Sequence, residues 1–166
     1  MLPLTLDPTR IRLGVLGDGP AATRRRARLR AAGATPLAVP ADPAAWPGLD
    51  ALWIADVADA PAARLAAAAR ARGILVNVED RPALCDFHNA AELRRGDLLI
   101  AVSTAGASPG LAGAVRDRIA RLIGPEWAGR LADLAARRAG WRAAGADLPQ
   151  VAARTRAALA DAGWLA

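Results

Sequence analysis

Short apolar runs recur along the chain up to residue 102, and alanine-rich stretches of helical character separate the early ones. The apolar runs are 11–16, 35–39, 51–55, 74–78 and 97–102, and the helical stretches are 20–32 and 60–72. Strands that alternate with helices are typical of a parallel sheet with helices on both faces. Gly33 and Gly73 each follow a helical stretch and precede a strand, where a left-handed glycine ends a helix. The pattern predicts an α/β fold.

The pattern changes after residue 86. Residues 87–102 contain two extended pieces around a turn at Arg95-Gly96-Asp97, which predicts a hairpin or arm. From Ser108 onward the chain is helical in character, in three segments punctuated by Pro109, Pro125 and Pro149. The first segment, 111–123, carries an apolar stripe that must pack on something: Leu111, Val115, Ile119, Leu122 and Ile123. The chain therefore divides into a sheet domain at 1–86, a middle segment at 87–124 and a helical region at 125–166.

The charge balance is basic and comes from one residue type. Arginines supply all 22 basic residues, against 16 acidic ones, for a formal net charge of +6. An anionic partner suits this balance, and a polycarboxylate small molecule and nucleic acid are both candidates. No aromatic platform or known recognition motif interleaves with the arginines, so we expect no nucleic-acid binding. An arginine-rich coding bias with solvated helix surfaces explains the same balance.

Single copies of cysteine and histidine limit the redox and metal chemistry. Cys85 is the only cysteine, which excludes an internal disulfide and a cysteine-built zinc site, and it reads as a small core residue. His88 has no partners at ligand spacing, so we expect an ordinary hydrogen-bonded histidine and no metal site. The first ten residues lack a basic leader with a long apolar core, and no apolar run reaches about 18 residues. We expect a cytoplasmic protein without an export signal or membrane span.

A glycine-rich turn follows the first predicted strand directly. It reads Gly17-Asp18-Gly19-Pro20-Ala21-Ala22, a G-x-G-x-x-A pattern that opens a helix. The first glycine permits a tight turn, the second lets the backbone approach a pyrophosphate, and the small Ala22 lets the helix pack close to the strand. A phosphate would then lie at the positive end of the helix. The turn predicts a Rossmann-type dinucleotide site, and a plain tight turn is the alternative.

The second predicted strand offers no acidic residue at its tip to hold an adenosine ribose. It ends in Val39-Pro40-Ala41, and the nearest carboxylate is Asp42. An aspartate directly before a proline, here Pro43, is more often a turn former than a ligand. We therefore favour a structural role for Asp42.

Two polar clusters follow later strands. Asn77-Val78-Glu79-Asp80 lies at the carboxyl end of a strand, where a carboxylate can relay a proton to a bound substrate or simply cap the next turn. The other cluster, Ser103-Thr104-Ala105-Gly106-Ala107-Ser108, precedes a helix that begins with proline. Ser108 is placed to cap that helix, whereas capping leaves Ser103 and Thr104 without a role.

The order and spacing of these clusters resemble the precorrin-2 dehydrogenase and sirohydrochlorin ferrochelatase family, the amino-terminal region of siroheme synthase. The matching stretches are LPLTLD, GDGPAATRRRARLRAAGA, ARGILVNVEDRPALCDF and RRGDLLIAVSTAGASPGLAGAVRDRI, within residues 2–124. The resemblance implies an NAD-binding Rossmann domain, an intertwined homodimer through 87–124 and a helical carboxyl-terminal domain at 125–166. It also implies NAD-dependent oxidation of precorrin-2 to sirohydrochlorin, and in some members insertion of ferrous iron.

The resemblance assigns roles to individual residues. Asp80, which closes the NV-x-D motif, is the catalytic residue. Cofactor contacts fall on Gly17, Asp18, Gly19, Pro20, Ala21, Ala22 and Asp56, and tetrapyrrole contacts on Asn77, Ser103, Thr104, Ala105 and Gly106. The tetrapyrrole is a polycarboxylate, so the arginine excess acquires a target that includes Arg94, Arg95 and Arg116.

Two departures from the family pattern stand out. Between Val39 and Leu52 the chain is about twenty residues shorter, as though one helix and one strand were lost. The motif that usually reads A-T-D-D is Ala55-Asp56-Val57-Ala58 here. These departures keep a second hypothesis open, a non-catalytic tetrapyrrole-binding or chaperone homologue with a degenerate NAD site.

Overall fold

A computed structural model describes residues 2–165, and the chain divides into two compact units. The first unit contains the residues up to Asn89 together with Ala105–Ala107. The second contains Ala90–Thr104 and the residues from Ser108 onward. The second unit thus combines the arm and the helical region that the sequence separates, and the three-part division stays a prediction.

A four-stranded parallel sheet with the strand order β2-β1-β3-β4 forms the centre of the first unit. Its strands and helices follow in the order β1 (Leu13–Leu16), α1 (Pro20–Ala31), β2 (Leu37–Val39), β3 (Ala51–Ile54), α2 (Asp59–Arg70) and β4 (Leu75–Val78). Gly33 and Gly73 both have positive φ after their helices, at 88° and 71°, as the sequence predicts. The predicted α/β fold is confirmed.

Each face of the sheet packs on one helix, because successive side chains of a strand point to opposite faces. Leu52 and Ile54 of β3 lie in a core cluster with the small buried residues of α2. Trp53, between them, belongs to the cluster on the other face with Ala21 and Ala22 of α1. Alanines dominate both helix faces, so the helices approach the sheet closely.

The connection from β2 to β3 contains no strand and no helix longer than the 3-10 turn at Pro43–Ala45. Trp46 follows this turn, is buried and donates its indole N–H to the Pro40 carbonyl oxygen at 2.7 Å. Together with Leu49 it joins the core cluster on the α2 face. Strand β2, between Pro36 and Pro40, lies at the edge of the sheet.

An antiparallel hairpin and three helices form the second unit. Its elements are β5 (Ala91–Arg95), β6 (Leu98–Val102), α3 (Pro109–Leu122), α4 (Trp127–Ala143) and α5 (Leu148–Asp161). The hairpin turns at Gly96-Asp97, as the sequence predicts. The Arg130 guanidinium lies over the rings of Trp127 and Trp164, at 5.1 and 5.5 Å, which ties the start of α4 to the residues after α5.

Helix α3 leaves much of its apolar stripe uncovered in the single chain. Leu111 is 56% exposed, Leu122 is 68% exposed, and Val115 is also exposed, whereas Ala112 is the buried residue of the helix. The helix contacts both strands of the hairpin. Across residues 2–165, none of the helices combines the length and the apolar character needed to cross a bilayer.

Candidate functional site

The carboxyl ends of β1, β3 and β4 lie side by side, because Leu16 is in register with Ile54 and Ile54 with Val78. The chain passes from β1 to β2 on one side and returns to β3 on the other. This reversal of direction creates the switch point where open α/β sheets bind ligands. The glycine turn leaves the sheet at this point, so the fold places the predicted cofactor turn where a ligand site is expected.

Close packing against β3 explains the first glycine of the turn. Gly17 has φ of 111°, and a Cβ atom on it would lie 2.0 Å from the Ala55 carbonyl oxygen. The same Cβ would lie 3.4 Å from Cβ of Ala22, which is fully buried. The guanidinium of Arg26 donates to the Gly17 carbonyl oxygen. Any side chain at Gly17 is therefore excluded by the fold, whether or not a ligand binds.

Asp56 fills the space in front of the second glycine. Its carboxylate accepts the backbone N–H of Ala22 at 2.8 Å and that of Ala21 at 3.3 Å. A Cβ atom on Gly19 would lie 2.5 Å from the Asp56 carboxyl carbon. The structure thus brings Asp56 to the glycine turn, where its carboxylate accepts from the amides that a pyrophosphate would use, and its contact with a cofactor stays a prediction.

These contacts decide how a dinucleotide fits the turn. The backbone fits, because Gly19 leaves room for a tetrahedral anion and the first amides of α1 point into that room. The carboxylate of Asp56 does not fit, since it already occupies both amides. Asp56 is an exposed residue, so its side chain can turn into solvent. With that side chain turned away, the Ala21 and Ala22 amides are free to accept an anion.

The strand end of β4 presents two carboxylates with different surroundings. Glu79 forms an ion pair with Arg25 of α1, at 3.6 Å, and the Arg25 side chain is only 11% exposed. Asp80 is exposed, has φ of 57°, and forms no hydrogen bond or ion pair with another residue in 2–165. Since β3 alone separates β4 from β1, Asp80 lies on the same edge as the glycine turn, roughly 10 Å across the sheet.

Asn77 is the buried polar side chain of the first unit's sheet, at 5% exposure. Its amide nitrogen donates to the Phe87 carbonyl oxygen at 2.8 Å, and its oxygen accepts from Asn89 at 3.1 Å. Asn89 in turn accepts the indole N–H of Trp53 at 3.0 Å. These bonds hold the segment after β4 against the α1 face, so Asn77 has a structural role, and its contact with substrate stays a prediction.

The small-residue loop after β6 is divided between the two units. Thr104 donates its hydroxyl to the Ser108 carbonyl oxygen at 3.0 Å and accepts the Ser108 N–H at 3.1 Å. Ser108 caps α3 through the Leu111 N–H at 3.3 Å, as the sequence predicts. Thr104 therefore has a structural role, the support of the residue that caps α3, which the sequence did not predict. Ser103, beside it, is exposed.

The middle of that loop, Ala105 and Gly106, packs with the first unit. Both residues have positive φ, at 54° and 84°. A Cβ atom on Gly106 would lie 3.4 Å from Cε1 of His88, so the imidazole lies against this backbone. The sole histidine is thus next to a predicted substrate loop, a position that residue spacing along the sequence did not indicate.

Two further residues have the structural roles that the sequence favours. The Asp42 carboxylate accepts the Ala44 N–H at 2.9 Å and so caps the turn before β3. The Cys85 thiol accepts the Val78 N–H at 3.2 Å, and burial raises the pKa of this thiol above its ordinary value. A raised thiol pKa means less thiolate at neutral pH, which argues against a nucleophile.

An arginine that the sequence pattern does not single out connects two of the loops at this edge. Arg81 donates Nε to the Asp59 carboxylate at 2.8 Å and Nη2 to the Val57 carbonyl oxygen at 2.9 Å. It therefore links the loop after β4 to the start of α2. An arginine directly after Asp80 is the one signal in the sequence, and nothing in its spacing identifies the partners.

A parallel sheet of this order, with a glycine turn at its switch point, defines a Rossmann-type α/β protein. Two family models match the chain: residues 40–91 match "Putative NAD(P)-binding", and residues 95–122 match "Sirohaem biosynthesis protein central". The first match begins after β2 and so excludes the glycine turn.

The similar curated proteins are siroheme synthases. The chain is 44% identical to the siroheme synthase of Thiobacillus denitrificans over 95 residues, which are 57% of this chain and 20% of that protein. It is 54% identical to the siroheme synthase of Methylococcus capsulatus over 74 residues, 45% of this chain and 15% of that protein. The chain thus spans a fifth or less of the length of these relatives. The predicted resemblance to the siroheme synthase family is confirmed.

A solved structure of the same fold is that of SirC, precorrin-2 dehydrogenase. It superposes with a TM-score of 0.74, over 100% of this chain and 93% of that chain, at 17% sequence identity. At this identity the likeness establishes the Rossmann-type fold.

Proposed function

We propose that the chain catalyses the nicotinamide-dinucleotide-dependent dehydrogenation of precorrin-2 to sirohydrochlorin in siroheme biosynthesis. The observation that carries the proposal is the shared edge of the sheet, where the glycine turn after β1 and the exposed Asp80 carboxylate after β4 lie two strands apart. The family matches, and the name of the structurally similar SirC, support the same substrate and reaction.

In this mechanism the chain's residues bind the cofactor and the substrate, orient them, and accept one proton. The amides of Ala21 and Ala22 would hold the pyrophosphate once Asp56 has turned away. The oxidised nicotinamide ring supplies a hydride acceptor. Dehydrogenation removes a hydride and a proton from the tetrapyrrole, and Asp80 accepts that proton. The guanidinium groups of the exposed Arg94 and the half-buried Arg116 pair with Glu92 and Asp117, and they can exchange those partners for substrate carboxylates.

Substitution of Asp80 tests this role. Asp80→Asn keeps the size of the side chain and tolerates the left-handed backbone, but it cannot accept a proton, so we expect kcat to fall by about 10²- to 10⁴-fold. The measurement is the absorbance change of precorrin-2 with NAD⁺, and circular dichroism checks the fold. Asp97→Asn, at the exposed hairpin turn, is the matched control and should retain activity. Undiminished turnover of the Asp80→Asn protein would remove Asp80 from the mechanism.

A second candidate is a non-catalytic tetrapyrrole-binding homologue. The Asp56 carboxylate on the α1 amides and the shortened β2–β3 connection favour it. This candidate predicts that sirohydrochlorin quenches tryptophan fluorescence, while NAD⁺ and NADP⁺ leave the melting temperature unchanged, since only a ligand of the folded state raises it.

Ferrochelatase activity is implied only by the family resemblance. Within residues 2–165 no three His, Cys, Asp or Glu side chains group as a metal site, and the assay for iron insertion adds ferrous iron to sirohydrochlorin.

We also propose that the chain acts as a homodimer. The exposed apolar stripe of α3 and its contacts with the β5–β6 hairpin support a self-association surface in the second unit. The family resemblance implies that a second copy of this chain covers this surface.

A further inference from the structure

We propose that Asp56 is an internal competitor of the cofactor: its carboxylate occupies the pyrophosphate position in the ligand-free chain and weakens dinucleotide binding. This inference rests on the proposed function, because it concerns the same nucleotide site. The family resemblance assigns Asp56 only to the cofactor pocket. The inference adds that Asp56 lowers cofactor affinity by competing with the ligand.

The hydrogen bonds at the start of α1 make the competition direct. A helix leaves its first N–H groups without partners inside the helix, and an anion normally satisfies them. Pro20 has no N–H, and the Thr23 N–H is already bonded to the Gly19 carbonyl oxygen at 3.0 Å. Ala21 and Ala22 therefore provide the remaining donors of this first turn, and the Asp56 carboxylate accepts from both. A pyrophosphate cannot take these two protons while Asp56 holds them.

The negative charge adds to the steric conflict. Among residues 2–165, no arginine forms an ion pair with Asp56, so its charge faces an incoming phosphate without a bound counter-charge. Three arginines have other partners: Arg25 pairs with Glu79, Arg26 donates to the Gly17 carbonyl oxygen, and Arg81 pairs with Asp59. Two like charges at one helix end repel each other, so the carboxylate must leave before a phosphate binds.

The backbone of Asp56 permits clean substitutions. Its φ of 56° lies in the left-handed region, which asparagine and glycine tolerate better than other residues. Asp56→Asn keeps the shape of the side chain and removes its charge. Asp56→Gly removes the side chain and frees both amides. Asp59→Asn is the matched control, because it removes one negative charge three residues away, from a carboxylate that pairs with Arg81 instead of α1.

Calorimetric titration of the full chain with NAD⁺ tests the competition. We expect Asp56→Asn and Asp56→Gly to bind NAD⁺ at least about tenfold more tightly than the wild type, a ratio that corresponds to about 1.4 kcal/mol. The Asp59→Asn protein should stay within about twofold of the wild type, since distant exposed charges are screened.

Stability without ligand is the second measurement, because competition and simple helix capping differ there. We expect Asp56→Asn to lower the melting temperature of the ligand-free chain, since the α1 amides lose a charged acceptor. The same protein should gain more from saturating NAD⁺ than the wild type does. A residue that only caps α1 would lower stability and leave NAD⁺ affinity unchanged or weaker.

The outcomes separate this inference from the proposed function. Equal NAD⁺ affinity in the wild type and both Asp56 variants overturns the competition and leaves the nicotinamide-dependent reaction standing. An equal gain in the Asp59→Asn protein also overturns it, because a general charge effect then explains the result. If neither the wild type nor either Asp56 variant binds NAD⁺ or NADP⁺ at millimolar concentration, the proposed cofactor use fails, and the competition fails with it.

Discussion

Left-handed backbone at residues other than glycine occurs just beyond three strands of this chain. Asp56, Asp80 and Ala105 have φ between 54° and 57°, and each lies just beyond the end of a strand, β3, β4 or β6. Such conformations cost free energy and concentrate at functional sites. The sequence contains no sign of them, because none of the three is a glycine. Two of these residues are the ones to which we assign the proton transfer and the competition with cofactor.

A residue-scale prediction concerns Gly17. Gly17→Ala should lower the free energy of unfolding by roughly 3 kcal/mol or more, because its Cβ would overlap the Ala55 carbonyl oxygen and its φ is unfavourable for alanine. Urea unfolding followed by circular dichroism measures the change. Gly140→Ala in α4 is the control: nothing lies within 4 Å of its Cβ position, so we expect a gain of up to about 1 kcal/mol. Equal stability of the two variants would contradict the packing at Gly17.

The Cys85 thiol supports a prediction about alkaline pH. Burial raises the pKa of the folded thiol, so the folded state favours the protonated form. The stability from this preference is complete below the pKa of the unfolded thiol and disappears as the pH rises through the folded pKa. The sequence has no lysine or tyrosine, so few other groups titrate there. The melting temperature of the wild type should fall more between about pH 8 and about pH 10 than that of Cys85→Ser. Parallel curves would contradict this assignment.

At the scale of elements, periodicity located every helix and strand of the first unit and the hairpin of the second. Pro109 begins α3, and the predicted helical stretches 20–32 and 60–72 coincide with α1 and α2 to within two residues at both ends. Propensity and apolar spacing determine these elements locally. The partners of Asp56, Asn77 and Arg81 could not be predicted, because they come from residues 10 to 35 positions away along the chain.

The α3 stripe supports a prediction at this scale. Leu122→Asp should lower the mass measured by sedimentation from that of a dimer to that of a monomer, because a charge cannot be buried in an apolar interface without a partner. Leu148→Asp, on α5, is the control, since Leu148 is 69% exposed and lies outside the stripe. We expect the control to retain the mass of the wild type. A monomeric wild type would contradict the proposed homodimer.

At the scale of the whole chain, the comparisons and the sequence agree on the fold and the family, and the geometry adds what neither contains. The glycine turn and the NV-x-D motif lie at the same edge of the sheet, and ligand binding at this edge stays a prediction. The contact of the Asp56 carboxylate with the glycine turn could not be predicted, because a side chain just after β3 can point in many directions until the neighbouring loop is placed. The short β2–β3 connection, by contrast, was visible in the sequence as missing length relative to the family pattern.

The edge strand β2 also affects aggregation, a second kind of self-association. An unprotected sheet border offers unpaired backbone groups to any passing extended peptide, which is a route to aggregation. Here β2 has only three residues, and Pro36 and Pro40, which flank it, carry no amide hydrogen to donate. The two prolines thus shorten the stretch of edge backbone with which an added strand could form hydrogen bonds. The three-residue edge strand and its two flanking prolines therefore leave the sheet closed to further growth on the β2 side.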